Sequence, residues 1–332
     1  MMDIKFDWDD ITLVPETVGY IESRYTDIDP FINGKLPLFT APMDRVIGKN
    51  NYNLFNEKMY VTIPRNIDLI DNNVFKSYGI NEIEDILKNK KEINKKVLID
   101  VANGHLYKLI ELCKELKATY SDIELMVGNI ANPKTYKQYA KIGVDYIRVG
   151  IGGGSVCTTS ANSGVHYPMA SLVNECYEIK VHGDYQTKIV ADGGFYNFSD
   201  IIKALGVGAD YVMLGGLLSK MLESNGDFYF KKNGIVFSKA SDDEKILTNN
   251  LYNRYRGMST KEVQKTWNKS DIRTSEGIVK YNKVEFTLDG WLENFEHYLR
   301  TAMSYTNSKT LSDFKDSDYI FITQNALKRF KK

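Results

Sequence analysis

Short apolar runs punctuate this chain, and most of them end in a small or polar cluster. They are Leu38 to Ala41, Tyr60 to Ile63, Val97 to Val101, Leu125 to Val127, Tyr146 to Ile151, Ile189 to Ala191 and Tyr211 to Leu214. Each has the length of a strand and is bounded by turn residues. Between most of them lies a charged stretch of helical period, such as Phe198 to Leu205 or His105 to Leu116, apolar at 106, 109, 110, 112, 113 and 116. Buried strands alternating with amphipathic helices predict a parallel sheet with helical crossovers. These strands, with an eighth near Leu251 to Arg256, fit an α/β fold of the (β/α)8 TIM-barrel type. A doubly wound open sheet is the alternative.

The pattern changes after Leu218. Phe228 to Phe237 reads as a hairpin turning at Asn233-Gly234. From Ser259 to Tyr281 the chain is polar and rich in Lys, Thr and Ser, which suits a mobile active-site flap better than a core element. Helical period returns from Trp291 to Tyr305. No low-complexity segment or internal repeat interrupts the chain. The expectation is one barrel domain over residues 1–332, with the hairpin and flap at about 225–285.

Composition narrows the function. The 332 residues include 43 Lys plus Arg against 43 Asp plus Glu, so net charge points to neither nucleic acid nor an acidic membrane surface as partner. Cys113, Cys157 and Cys176 are too few and too scattered for a disulfide framework, and no pair has metal-ligand spacing. Their sparseness favours a reducing compartment. The first residues lack a basic-then-apolar signal pattern, and no apolar run approaches the roughly 18 residues a membrane span needs. The expected setting is cytoplasmic.

In a barrel the active site lies at the carboxyl ends of the strands. Those ends carry Pro42-Met43-Asp44, Pro64-Arg65-Asn66, Asp100 to Gly104, Gly128-Asn129, Gly150 to Thr159, Asp192-Gly193-Gly194 and Gly215-Gly216. The most informative is Gly150-Ile-Gly-Gly-Gly-Ser-Val-Cys157-Thr-Thr159. Glycines let a ligand approach the main chain, and a thiol on such a loop is placed as a nucleophile more naturally than as packing. A small buried hydrophobe remains the other reading of Cys157. The glycine pairs at 193–194 and 215–216, with Ser155 nearby, point to a phosphate site; tight turns alone would also explain them. Asp100 could cap a helix or accept hydrogen bonds from a ribose. Arg65 reads as a surface charge, His166 as structural, and Glu276 in the flap as a solvated carboxylate.

Together these motifs resemble the IMP dehydrogenase/GMP reductase family. The resemblance spans nearly the whole chain. It rests on Asp9-Asp10-Ile-Thr-Leu-Val-Pro15, Ala41 to Asp44, the Cys157 loop, Ala191 to Gly194 with Lys203 to Ala209, Val212 to Gly215, and Tyr255-Arg-Gly-Met-Ser259. Ile63 to Val97 leaves no room for the paired CBS domains that dehydrogenases usually carry there. Ile99 to Gly104, Cys157-Thr158-Thr159 with Gly164 to Pro168, and Arg273-Thr-Ser-Glu276-Gly277 follow the reductase branch. Three stretches depart from the pattern: Gly153 replaces the loop proline, Pro64-Arg65-Asn66 replaces a His-Lys-His-like segment, and Glu296 to Thr301 replaces a Gly-Gly-Leu-Arg-Ser stretch.

The resemblance implies a homotetramer that acts on a purine nucleoside monophosphate through a cysteine adduct at C2. For the reductase branch, GMP is reduced to IMP and ammonia with NADPH, NADH being the alternative. Cys157, Thr159 and Glu276 would then be catalytic. Ser155, Gly193, Gly194, Gly215, Gly216 and Tyr255 would hold the phosphate, Asp192 the ribose, and backbone groups of Gly257 and Met258 the base edge. Asp100, Ala102, Asn103, Gly150 and Arg300 would serve the cofactor. K+ would sit on carbonyls of Gly152, Gly154 and Cys157. The rival readings are NAD-dependent oxidation of IMP to XMP, and a catalytically weakened barrel that binds purine nucleotides.

Overall fold

The computed structural model describes residues 4–232, 235–240, 250–266 and 274–330. The chain enters through a short strand, β1 (Ile11–Leu13), which pairs antiparallel with β14 (Tyr319–Phe321). Eight parallel strands follow: β2 (Leu38–Thr40), β3 (Thr62–Ile63), β4 (Phe75–Tyr78), β5 (Lys96–Asp100), β6 (Glu124–Ile130), β7 (Tyr146–Val149), β8 (Lys188–Asp192) and β9 (Tyr211–Leu214). Each pairs with its sequence neighbour, and β9 pairs with β2. The ring closes where Phe39 and Tyr60 form a parallel bridge, with Thr40 donating to the Tyr60 carbonyl and Tyr60 to that of Leu38. A (β/α)8 barrel results, as the pattern of apolar runs predicts.

The expected eighth strand is the one correction to that count. Leu251–Arg256 is β12, inside a separate antiparallel sheet ordered β11-β10-β12-β13, with β10 (Phe228–Lys232), β11 (Ile235–Lys239) and β13 (Val279–Lys283). The eighth barrel strand is β4, whose sequence Phe-Lys-Ser-Tyr offers no continuous apolar run. Ser77 and Lys76 are buried all the same, at 0% and 8% exposure. The predicted hairpin is present as β10 and β11; its turn at Asn233-Gly234 lies outside the described residues.

Helices cover the barrel wall: α1 (Tyr52–Asn56), α2 (Ile80–Asn89), α3 (Tyr107–Thr119), α4 (Pro133–Lys141), the short α5 (Thr159–Ser163), α6 (Met169–His182), α7 (Phe198–Gly206), α8 (Lys261–Thr266), α9 (Leu288–Tyr305), α10 (Leu311–Phe314) and α11 (Gln324–Phe330). Local sequence starts them where they start. Asn132 accepts from the Lys134 amide with Pro133 in the first turn, and Asn197 accepts from Asp200 ahead of α7. No helix among the described residues is long and apolar enough to cross a membrane.

Period-two alternation fills the barrel from both sides. Tyr211 and Met213 of β9 point inward, while Val212 and Leu214 join the layer under the helices. The interior carries an aromatic plug of Phe39, Tyr60, Phe75, Tyr146 and Tyr211, with Phe39 and Tyr211 edge-on at 5.1 Å. At the amino end of β9, Asp210 is 2% exposed and takes Lys180 at 2.6 Å, Lys315 at 2.6 Å and the Ile189 amide at 2.7 Å. Burial opposes its charge, but the two ammonium groups prevail and hold its carboxyl below the usual range. That cluster stabilises the closed end of the barrel and leaves the carboxyl ends of the strands for chemistry.

Candidate active site

The loop after β7 is shaped by close approach. Gly150 has φ of +128°, and a Cβ there would lie 2.4 Å from the Asp192 carbonyl oxygen. Only glycine fits that corner. A turn from the Gly154 carbonyl to the Cys157 amide, 2.9 Å, then presents the thiol. Cys157 is half-buried, whereas Cys113 and Cys176 are enclosed and burial pushes their thiols up, that of Cys113 to about 12. The accessible sulfur is therefore Cys157.

Its partners come from a segment more than a hundred residues away in sequence. Cys157 and Gly277 form an antiparallel bridge, the Thr158 amide donates to the Glu276 carbonyl at 2.9 Å, and the Ile278 amide donates to the Val156 carbonyl at 3.0 Å. This short seam sets the Glu276 side chain beside the loop. Cys157 Sγ lies 3.4 Å from Thr159 Oγ1, and that hydroxyl donates to Glu276 Oε2 at 2.8 Å. Thiol, hydroxyl and carboxylate thus form one hydrogen-bonded series ending in a base.

Part of the expected flap is regular structure. Glu262 of α8 accepts from Arg254 at 2.8 and 3.2 Å, with Arg256 at 3.5 Å and Arg45 at 3.7 Å, and Arg256 also pairs with Asp44 at 2.7 Å. These charges fasten the flap's first turn to the loop after β2. Residues 267–273, including Arg273 of the reductase-like motif, lie outside the described residues.

The residues expected to hold a phosphate converge. A Cβ on Gly193 would lie 3.1 Å from the Gly154 amide nitrogen, one on Gly216 2.9 Å from Ser155 Oγ, and one on Gly215 2.7 Å from the Tyr255 hydroxyl. The ends of β8, β9 and β12 therefore meet the Cys157 loop at contacts so close that a side chain on any of these glycines would collide with it or with Tyr255. Tyr255 is buried, which raises its pKa and keeps it a neutral donor; its hydroxyl rests 3.1 Å from Met43 Sδ.

Beside this junction sits a network the apolar pattern conceals. Arg148, within β7 and 5% exposed, donates to Asp100 Oδ1 and to Asp192 Oδ2, both at 2.7 Å. Burial opposes its charge, but Asp192 and Asp100 outweigh it and raise its pKa. Asn129 donates to the same Asp192 oxygen at 2.7 Å and to the Gly150 carbonyl at 2.8 Å. Arg65, expected at the surface, approaches Asp100 Oδ2 at 3.7 Å. An arginine inside an apolar strand was the available signal, because buried charge requires a partner. Among the described residues the bonds to Asp192 all fall on Oδ2, which leaves Oδ1 without one.

Several residues expected to contact ligands also bond within the protein. Asp100 accepts from Arg148 through Oδ1, and Arg65 lies 3.7 Å from its Oδ2. Gly150 is buried, and its amide donates to Ile130 at 2.7 Å. The Gly257 amide donates to the Ile278 carbonyl at 3.2 Å and its own carbonyl accepts from Thr260 at 3.3 Å. Arg300 does not join the rim: it is buried in α9, donates to the Ile28 carbonyl at 2.6 Å and pairs with Glu296 at 2.8 Å. Ala102 and Asn103 are exposed at the end of β5. His166 bonds the Ile151 carbonyl, as a structural residue would. The carbonyls of Gly152 and Gly154 accept from Ser160 Oγ and the Cys157 amide, one bond each, which leaves each oxygen a second lone pair. Among the described residues no cluster of His, Cys, Asp and Glu is arranged to hold a metal.

Comparison with known proteins gives a consistent outcome. A family model described as the IMP dehydrogenase / GMP reductase domain matches residues 78–331. The chain is 28% identical to a GMP reductase of Caenorhabditis elegans, over 96% of this chain and 92% of that one. It is 31% identical to GMP reductase 1 of Homo sapiens, covering 70% and 74% respectively. With an inosine-5'-monophosphate dehydrogenase of Borreliella burgdorferi it shares 29% identity, over 75% of this chain and 59% of the dehydrogenase.

Proposed function

The chain belongs to the IMP dehydrogenase/GMP reductase family, and we propose that within it this protein is an NADPH-dependent GMP reductase. The observation that carries the reading is the contact series from Cys157 through Thr159 to Glu276. A dehydrogenase must activate water, whereas a reductase must make an amino group leave, and a hydroxyl-carboxylate pair next to the thiol suits the second task.

In this mechanism the phosphate sits among Ser155, the paired glycines and Tyr255, and Asp192 Oδ1 takes a ribose hydroxyl. That anchorage sets purine C2 over Cys157. The thiol proton passes through Thr159 to Glu276, and the thiolate attacks C2. Glu276 returns a proton through Thr159 to the exocyclic amine, the C2–N bond breaks and ammonia departs. Arg148 and Asn129 keep Asp192 oriented throughout, each through a bond of 2.7 Å. Ala102 and Asn103 at the exposed end of β5 would hold a reduced nicotinamide, which when bound would supply hydride to C2. Breaking the C2–S bond then releases IMP and regenerates the thiolate. Homotetrameric assembly belongs to the same reading and is sized by analytical ultracentrifugation.

Incubation with GMP plus NADPH, and separately with IMP plus NAD, tests the assignment through the absorbance of the reduced cofactor. Consumption in the first mixture is expected. Production in the second would instead mark an IMP dehydrogenase, and silence in both with measurable nucleotide binding would mark a binding protein.

A further inference from the structure

Lys76 stands in the barrel wall at 8% exposure, where a strand ordinarily carries an apolar side chain. It lies in β4 opposite Ile63, the last residue of β3. Its ammonium donates to three carbonyl oxygens of the loop that follows: Pro64 at 2.9 Å, Arg65 at 3.0 Å and Ile67 at 2.7 Å. An ammonium has three donors and no acceptor, so this cage satisfies it completely.

The loop gripped in this way carries two side chains to the active face. Arg65 reaches Asp100 at 3.7 Å and Asn66 reaches Asp44 at 3.4 Å. The Arg65 guanidinium crosses Gly79, where a Cβ would come within 2.8 Å of Nη1. Asp100 in turn holds Arg148, which holds Asp192.

We propose that Lys76 is a positioning residue of the active face, fixing the loop after β3 through its three carbonyls and so setting Arg65 against the Asp100–Arg148 pair. The amine form would have two N–H groups and a lone pair, leaving one carbonyl without a donor and facing that lone pair. Burial pushes the ammonium down to about 8. Of the charged groups facing it, Glu82 of α2 and Asp68 of the loop favour the charge and Arg65 opposes it; the Tyr78 ring lies 5.9 Å from Nζ. The grip therefore holds at neutral pH and loosens above about pH 8.

Hydrogen exchange on the full-length protein tests this directly, because the Ile67 amide is bonded to the Pro64 carbonyl at 3.2 Å. After correction for intrinsic rates, protection of residues 65–68 in the unmodified protein should fall by about ten-fold or more between neutral and strongly alkaline pH. Lys76→Met should show the low protection already at neutral pH. The kinetic arm rests on the reductase reading: Lys76→Met should lower kcat/KM for NADPH by about ten-fold or more, leave KM for GMP within about two-fold, and abolish the alkaline fall in kcat/KM. Loop protection that does not change with pH in the unmodified protein overturns the proposal, as does a variant whose protection and kcat/KM match it. The exchange arm decides the role of Lys76 even if no GMP turnover is found, so the two readings fail separately.

Discussion

Replacing Glu276 by Gln separates moving a proton from merely holding one. The amide keeps the size of the side chain and its oxygen still accepts from Thr159, so the 2.8 Å contact survives. Only the charge and the ability to take a proton are lost. A hydrogen bond to an ionised group is worth about 1.5–3 kcal/mol and a neutral one about 0.5–1.5 kcal/mol. If Glu276 only positions Thr159, that difference of about 1 kcal/mol amounts to less than about ten-fold in rate. Removing a general acid–base group costs about 10²–10⁴-fold, or roughly 3–5 kcal/mol. The expected result is therefore a fall in kcat of more than about a hundred-fold, followed by the absorbance of NADPH, with KM for GMP within about three-fold. The melting temperature should not move, since Glu276 is exposed. A fall of ten-fold or less, or an effect confined to KM, would refute the relay.

Other perturbations read other parts of the structure. Cys157→Ala should abolish turnover while calorimetric GMP binding changes by less than about 1 kcal/mol, and retained turnover would rule out the covalent route. Gly216→Ala puts a methyl 2.9 Å from Ser155 Oγ. A cost of about 1–3 kcal/mol should appear chiefly as a raised KM for GMP, so an unchanged KM would place the phosphate elsewhere. Asp210→Ala leaves Lys180 and Lys315 without their buried carboxylate and should cost about 3–5 kcal/mol in urea unfolding at neutral pH. Because Asp210 is held below the usual carboxylate range, its contribution is present above the unfolded pKa of about 3.9 and lost as pH falls through the lower folded value. The gap between the two proteins should thus close in acid; a gap that persisted there would mean lost packing and not lost charge.

The barrel was legible because its strands are buried on both faces and therefore run apolar. β4 was not, because Lys76 and Ser77 interrupt the run, and their burial depends on carbonyls and neighbours that no local pattern displays. β12 took its place in the count because a strand of an antiparallel sheet looks the same over six residues. The Cys157 loop was legible for a stronger reason: its glycines are demanded by backbone crowding against Asp192, and that demand is written in residue type. Thr159 and Glu276 came from resemblance, and their contact could not follow from spacing because the seam joining them is tertiary. Arg148 shows the opposite failure. It was visible as a charge in an apolar strand, but its two carboxylate partners lie on other strands and only the closed sheet brings them together. Arg300 illustrates how a residue matched by motif can be committed to an ion pair and a backbone carbonyl inside the fold.

The backbone seam between residues 156–158 and 276–278 has a consequence for how this chemistry could be controlled. Thr159 and Glu276 are separated by 117 positions in the chain, yet a few main-chain bonds between their flanking residues hold them side by side. Anything that peels residues 276–278 away strips the thiol of its acceptor in the same movement.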